Sequence, residues 1–109
     1  MPTTTLSELR SILGDWMLGE LVGLPTTSVA TIDIAKLRPE VSERIELIGQ
    51  VVWCLLGAYD ENGIRRWFGR RRPQLQGQSP AEHLGFDWLA NSSSAKRILE
   101  LAREVAPSG

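Results

Sequence analysis

The sequence predicts an all-α fold, a small helical bundle built around one apolar helix. Three observations carry that expectation. Thr5-Leu-Ser-Glu8 and Ser79-Pro80-Ala-Glu82 each have the form of a capping box, in which a hydroxyl and a carboxylate satisfy backbone donors at a helix start. Apolar residues recur at helical spacing over most of the chain. The segment richest in β-branched residues finds no second strand to pair with. At 109 residues, a single domain with a modest core is expected.

Taken in order, Leu6, Leu9, Ile12, Leu13 and Trp16 follow helical spacing before and across Gly14-Asp15, which predicts two short helices with Asp15 capping the second. Leu18, Leu21 and Val22 point inward from that second helix, and Gly23 stops it. From Thr26 to Ala35 the Thr, Val and Ile content favours strand on propensity. The residues alone leave strand and helix open.

Pro39 opens the longest helix, with Glu40, Glu43 and Glu46 near its positive end. Val41, Ile45, Ile48, Val52, Leu55, Leu56 and Tyr59 trace one apolar stripe, widened by Leu47, Val51 and Cys54. Such a helix is central to a bundle or partly a subunit contact. Asn62-Gly63 reads as a turn before a short helix carrying Ile64, Trp67 and Phe68. That helix must end before Pro73, which pushes Arg72 out of the helical region.

Gly77 permits a backbone angle barred to other residues, and Pro80 then sits at the first helical position after Ser79. Past Leu84, Gly85 to Leu89 form an apolar knot without a period. Ser92 to Ser94 offer caps for a last helix in which Ile98, Ala102 and Val105 share a face, with Leu101 beside them. Pro107 to Gly109 form a frayed end.

Net charge is −1, but it is unevenly spread: residues 1–61 hold nine acids and four bases, and 62–109 hold four acids and eight bases. Five of those bases fall between Arg65 and Arg72. Arginine forks pair bidentately with phosphate or carboxylate, so the cluster suits an anionic partner; the plain alternative is a solvated helix end whose cations complement the dipole. A single cysteine, Cys54, excludes an internal disulfide, and the longest apolar run, Val51 to Tyr59, falls short of the roughly 18 residues of a membrane span. A cytoplasmic protein with no membrane association is expected.

Catalytic chemistry finds little support. His83 is the only histidine, one His and one Cys cannot build a four-ligand zinc site, and no phosphate-binding glycine loop occurs. The expectation is therefore no enzyme, no metal and no cofactor.

The spacing of Trp67, Pro73, Leu75, Gly77, Pro80 and Leu84 resembles the toxin-binding domain of the Xre/MbcA/ParS antitoxins, whose pattern is a Trp, a P-x-L-x-G-x-S/T-P turn and a Leu on a short helix. The resemblance extends upstream through Leu18 to Val29, Pro39 and Glu43-Arg44-Ile45, and downstream through Ala95 to Ala102, so it covers most of the chain. It implies a helix-turn-helix-like segment over 1–38, in which 26–35 is a helix held by tertiary packing, and a central helix plus toxin-binding subdomain over 39–109, together one compact unit. It also implies the antitoxin of a type II toxin-antitoxin pair, which neutralises a RES-domain toxin that degrades NAD by binding it and blocking its active site.

On that resemblance, the last helix faces the toxin, with Ile98, Leu101, Arg103 and Val105 closing the pocket where NAD sits. The stretch from Phe86 to Ser94 is longer than the family's usual link, which moves weight onto Arg70, Arg71, Arg72 and Trp88. The helix-turn-helix likeness would present Thr26, Thr27, Ser28 and Thr31 to DNA. None of these can make a bidentate base contact, and residues 1–38 hold four acids against three bases, so DNA binding is expected to be weak. Two other functions compete: an autorepressor of its own operon, and a helical oligomerisation module without a toxin. A homo-oligomer, or a hetero-oligomer with the toxin, fits the apolar central helix.

Overall fold

Thr5 begins the regular structure by capping α1 (Leu6–Leu13): its hydroxyl accepts from the Glu8 N–H at 3.3 Å, and Glu8 returns a carboxylate to the Thr5 N–H at 3.4 Å. The computed structural model describes residues 3–85 and 87–105, so the expected frayed end at Pro107 to Gly109 lies outside it. Among the described residues the chain is all-α: α1 is followed by α2 (Asp15–Val22), α3 (Thr26–Val29), α4 (Pro39–Leu55), α5 (Glu61–Gly69), α6 (Pro80–Leu84) and α7 (Ser93–Val105). Short 3₁₀ turns lie at Ile34–Lys36 and Pro73–Leu75, and no strand forms among the described residues.

The α1–α2 break falls at Gly14 as expected, but Asp15 does not cap. Asp15 is the first residue of α2, and its carboxylate instead takes the Arg10 guanidinium, Nε to Oδ1 at 2.9 Å and Nη2 to Oδ2 at 3.1 Å. A bidentate pair across the break outcompetes a single cap bond. Gly23 ends α2 in the left-handed conformation, φ +84°.

The helix expected over 26–35 shrinks to the one turn of α3, closed by Val29 in the core. Strand-favouring residues without a strand partner yield a short helix and a turn: the Asp33 side chain accepts from the Ala35 N–H at 3.1 Å, a local bond that competes with helix continuation.

α4 is the axis of the molecule. α7 packs along it, α1 and α2 also reach it, α5 lies on α1, and α6 bridges α5 to α7. Val41, Ile45, Leu47, Ile48, Val51, Val52 and Leu55 are buried in one apolar cluster with Leu9, Leu18, Phe68 and Ile98. The chain before α1 crosses α4 at Gly49, where the Thr4 N–H donates to the Gly49 carbonyl at 3.0 Å. A side chain at position 49 would stand 2.9 Å from the Thr4 carbonyl oxygen, so only glycine admits this crossing.

The apolar stripe stops sooner than its spacing suggests. α4 ends at Leu55, the chain turns through Leu56 to Tyr59, and Leu56 and Tyr59 stand 40% and 38% exposed. Asn62-Gly63 is no separate turn either: Asp60 caps α5 by accepting from the Gly63 N–H at 2.8 Å, which places both residues in the first helical turn. At the other end of the chain, the Ser92 hydroxyl accepts from the Ala95 N–H at 3.2 Å and caps α7.

Candidate functional site

The segment from α5 to α6 folds as one local unit. α5 buries Ile64, Trp67 and Phe68, the Trp67 and Phe68 rings meeting edge to face at 5.2 Å. Proline at 73 then starts the 3₁₀ turn that drops Leu75 into the core. Gln76 and Gly77 both take positive φ, 58° and 84°, which bends the chain back so that the Gly77 N–H donates to the Arg72 carbonyl at 2.9 Å and the Arg72 N–H to the Gln78 carbonyl at 3.1 Å. Sequence reasoning expects the left-handed residue at Gly77 but not at Gln76. Ser79 and Glu82 complete the capping box at 3.1 and 3.0 Å, with Pro80 at the first helical position.

Trp67, Leu75, Pro80 and Leu84 are therefore the buried ribs of this unit, while Pro73 and Gly77 shape its exposed turn. Glu82 also receives Arg71 Nε at 3.3 Å. The Ser79 backbone N–H, the Arg71 guanidinium and the Ser79 hydroxyl hold the Glu82 carboxyl below the usual range.

The arginines of the cluster separate by their partners. Arg65 reaches back from α5 and donates to the Ile12 carbonyl at 2.6 Å, one of the acceptors left over at the end of α1, and its other branch meets the Asn62 side chain. Arg71 pairs with Glu82. Arg66, Arg70 and Arg72 instead line a notch of about 190 Å³ with Tyr59, Gly63 and Trp67. The Arg72 guanidinium lies over the Trp67 face, 5.0 Å from the ring centroid, a cation–π contact. Burial and the neighbouring Arg70 charge lower the Arg72 pKa, partly offset by Tyr59. Arg72 Nε and the Trp67 indole N–H are buried without a hydrogen-bond partner.

Beside the notch runs an apolar strip. Trp53, 51% exposed on the last turn of α4, and Leu56, just past its end, stand three residues apart, and Tyr59 follows into the notch wall. A wider groove of about 430 Å³ between α4 and the start of α7 has mixed charge, with Glu43, Glu46 and Lys96 on its walls.

Several residues expected at a partner surface turn out to be core. Ile98 and Leu101 are buried, because the face of α7 that carries them packs on α4. Trp88 is only 6% exposed, and its indole N–H donates to the Leu21 carbonyl at 2.7 Å. Arg103 is exposed and Val105 half-buried at the end of α7. Thr26, Thr27 and Ser28 are exposed on α3, but Thr31 lies beyond that helix, with its hydroxyl on the Ser28 carbonyl at 3.4 Å. One helical turn is a small element to lay in a DNA groove.

Arg44 was not singled out by its chemistry, yet it is the best-partnered cation in the molecule's interior. It is 6% exposed, donating from Nε to the Trp88 carbonyl at 2.6 Å and from Nη1 to the Val22 carbonyl at 3.1 Å. Asp87 stands 4.0 Å from its Nη2. With Trp88 it caps the carbonyl end of α2, where a positive charge also suits the helix dipole. Its place in the heptad-like spacing from Val41 to Ile48 was the available signal: a charge on the inward face of α4 requires buried acceptors.

Among the described residues no group of His, Cys, Asp and Glu is arranged to hold a metal ion, and no helix is long and apolar enough to cross a membrane. No family model, no curated protein and no solved structure matches the chain.

Proposed function

We propose that the chain is a protein-binding antitoxin that neutralises a RES-domain, NAD-degrading toxin by covering its active site. The observation that supports this best is the Trp67 to Leu84 unit: the six residues that carry the family resemblance are also the ones that shape one compact turn, with four of them in its core. A partner surface lies next to it. Trp53 and Leu56 offer exposed apolar area, Arg70 and Arg71 offer charge at its edge, and aromatic and arginine side chains are the types that anchor protein interfaces.

With Ile98 and Leu101 turned inward, the proposed contact falls on that surface and on the outer end of α7 at Arg103 and Val105. Hetero-oligomer formation with the toxin follows from the proposal.

Co-expression with the product of the adjacent reading frame tests it. The neighbour alone should deplete cellular NAD and stop growth, and this chain should co-purify with it and restore both. A Trp53→Ser, Leu56→Ser variant, altered only at exposed positions, should lose the complex while keeping its helical circular dichroism. No complex and unchanged NAD would sink the proposal.

A further inference from the structure

The notch beside Trp67 carries more positive charge than the fold has use for. Four other guanidinium groups have structural acceptors: Arg44 and Arg65 cap helix carbonyls, Arg10 holds Asp15 and Arg71 holds Glu82. Arg66, Arg70 and Arg72 converge on one concavity, and no acid lines it. The Asp60 carboxylate, which caps α5 by accepting from the Gly63 N–H at 2.8 Å, is a single charge and does not balance three guanidinium groups. Like charges brought together repel unless an anion sits among them.

Two further observations point to a ligand. The Trp67 indole N–H, on a residue 2% exposed, and Arg72 Nε are both buried donors without protein acceptors, on two residues that line the notch. Native proteins rarely leave such donors unmade, because each carries a desolvation penalty that a hydrogen bond removes. The notch is also held on a firm frame, since the Arg72 backbone is closed on both sides by Gly77 and Gln78 and its guanidinium rests on the Trp67 ring.

We propose that this notch is an oxyanion site for a phosphoryl group, free or carried on a small molecule. A single carboxylate is matched by one guanidinium fork, whereas a phosphoryl group carries about two negative charges and several accepting oxygens, which suits three converging arginines. The cavity of about 190 Å³, with the aromatic side chains of Tyr59 and Trp67 in its wall, also has room for part of a flat body bearing the phosphate. The site shares Arg70 with the proposed toxin surface, but it does not rest on that reading and is measured on the chain alone.

The test is a titration of the ¹⁵N-labelled chain with inorganic phosphate and with phenyl phosphate at constant ionic strength, following the Trp67 indole and arginine Nε resonances. Both should move saturably, and Arg66→Gln with Arg70→Gln, at exposed positions, should weaken binding by about tenfold or more. Arg97→Gln on α7 should leave it unchanged. Tighter binding of phenyl phosphate assigns the phosphate to an aromatic small molecule, and equal binding assigns it to free phosphate. If the resonances stay still, if chloride reproduces the shifts, or if the double variant binds as well as the parent, the site is refuted.

Discussion

Two regions of this molecule use the same side chain to opposite ends. At the end of α2, one buried arginine, Arg44, is given acceptors on the Val22 and Trp88 carbonyls. At the end of α5, Arg66, Arg70 and Arg72 surround a notch without an acid in its lining. Arg44 joins segments distant in sequence, since its acceptors lie 22 and 44 residues away. The notch arginines are all local to one helix and turn. A guanidinium with its acceptors inside the fold is part of the fold, and one without them keeps its donors open, which is the basis of the proposed anion site.

The contrast can be broken most sharply at Arg44. Arg44→Met keeps much of the apolar stem but strands the Val22 and Trp88 carbonyls, so unfolding in urea should show a loss of about 3 kcal/mol, from two buried acceptors at about 1–3 kcal/mol each. A loss below about 0.5 kcal/mol, the range of ordinary surface changes, would show that water replaces the guanidinium and that the clamp is not structural.

Gly77→Val should come next. Apart from its chain neighbours, no atom lies within 4 Å of the Cβ it would add, so the main penalty is that of the backbone at φ +84°. About 1–2 kcal/mol is expected, visible as a lower urea midpoint. Sequence reasoning alone would foresee a collapsed turn; the open space around Gly77 limits the damage to strain.

Acid provides a gentler comparison. Glu82 and Asp15 both have carboxyl pKa values held below the usual range, Glu82 chiefly by the Ser79 backbone N–H and Asp15 by its hydrogen bond to Arg10. A lowered pKa in the folded state gives stability that is fully present above the unfolded value and is lost as pH falls through the folded one. Stability measured against pH should therefore be flat near neutrality and decline below the ordinary carboxylate range. Glu82→Gln should flatten part of that decline, and an unchanged profile would argue that neither the Ser79 cap nor the Arg71 pair stabilises the folded carboxylate.

The smallest effect belongs to the notch. Arg66→Gln with Arg70→Gln should change stability by no more than about 0.5 kcal/mol, in keeping with exposed positions that bond to nothing in the fold. A large destabilisation would move these arginines to the structural side of the comparison.

Local features of the fold were legible because their causes are local. The Thr5 and Ser79 capping boxes, Pro39 and Pro80 at first helical positions, Gly23 and Gly77 at positive φ, and the Ser92 cap each depend on residues within a few positions of one another. The expected partner surface was less legible. Ile98 and Leu101 have the composition of a binding face, but a buried face and a binding face are written in the same residues. Leu56 and Tyr59 erred the other way: helical spacing assigns them to the core, while the end of α4 at Leu55 sets them in solvent.

The sequence by itself determined the all-α class, where most helices begin and end, and the turn between α5 and α6, because capping, proline geometry and glycine's freedom act over a handful of residues. Only the tertiary structure decided which arginines find acceptors within the fold and which converge on an open notch. That distinction rests on the acceptors each guanidinium finds, and the Arg44 and Arg65 acceptors lie 22 to 53 residues away, at the ends of α1 and α2 and in the stretch before α7, brought within reach only when the helices pack.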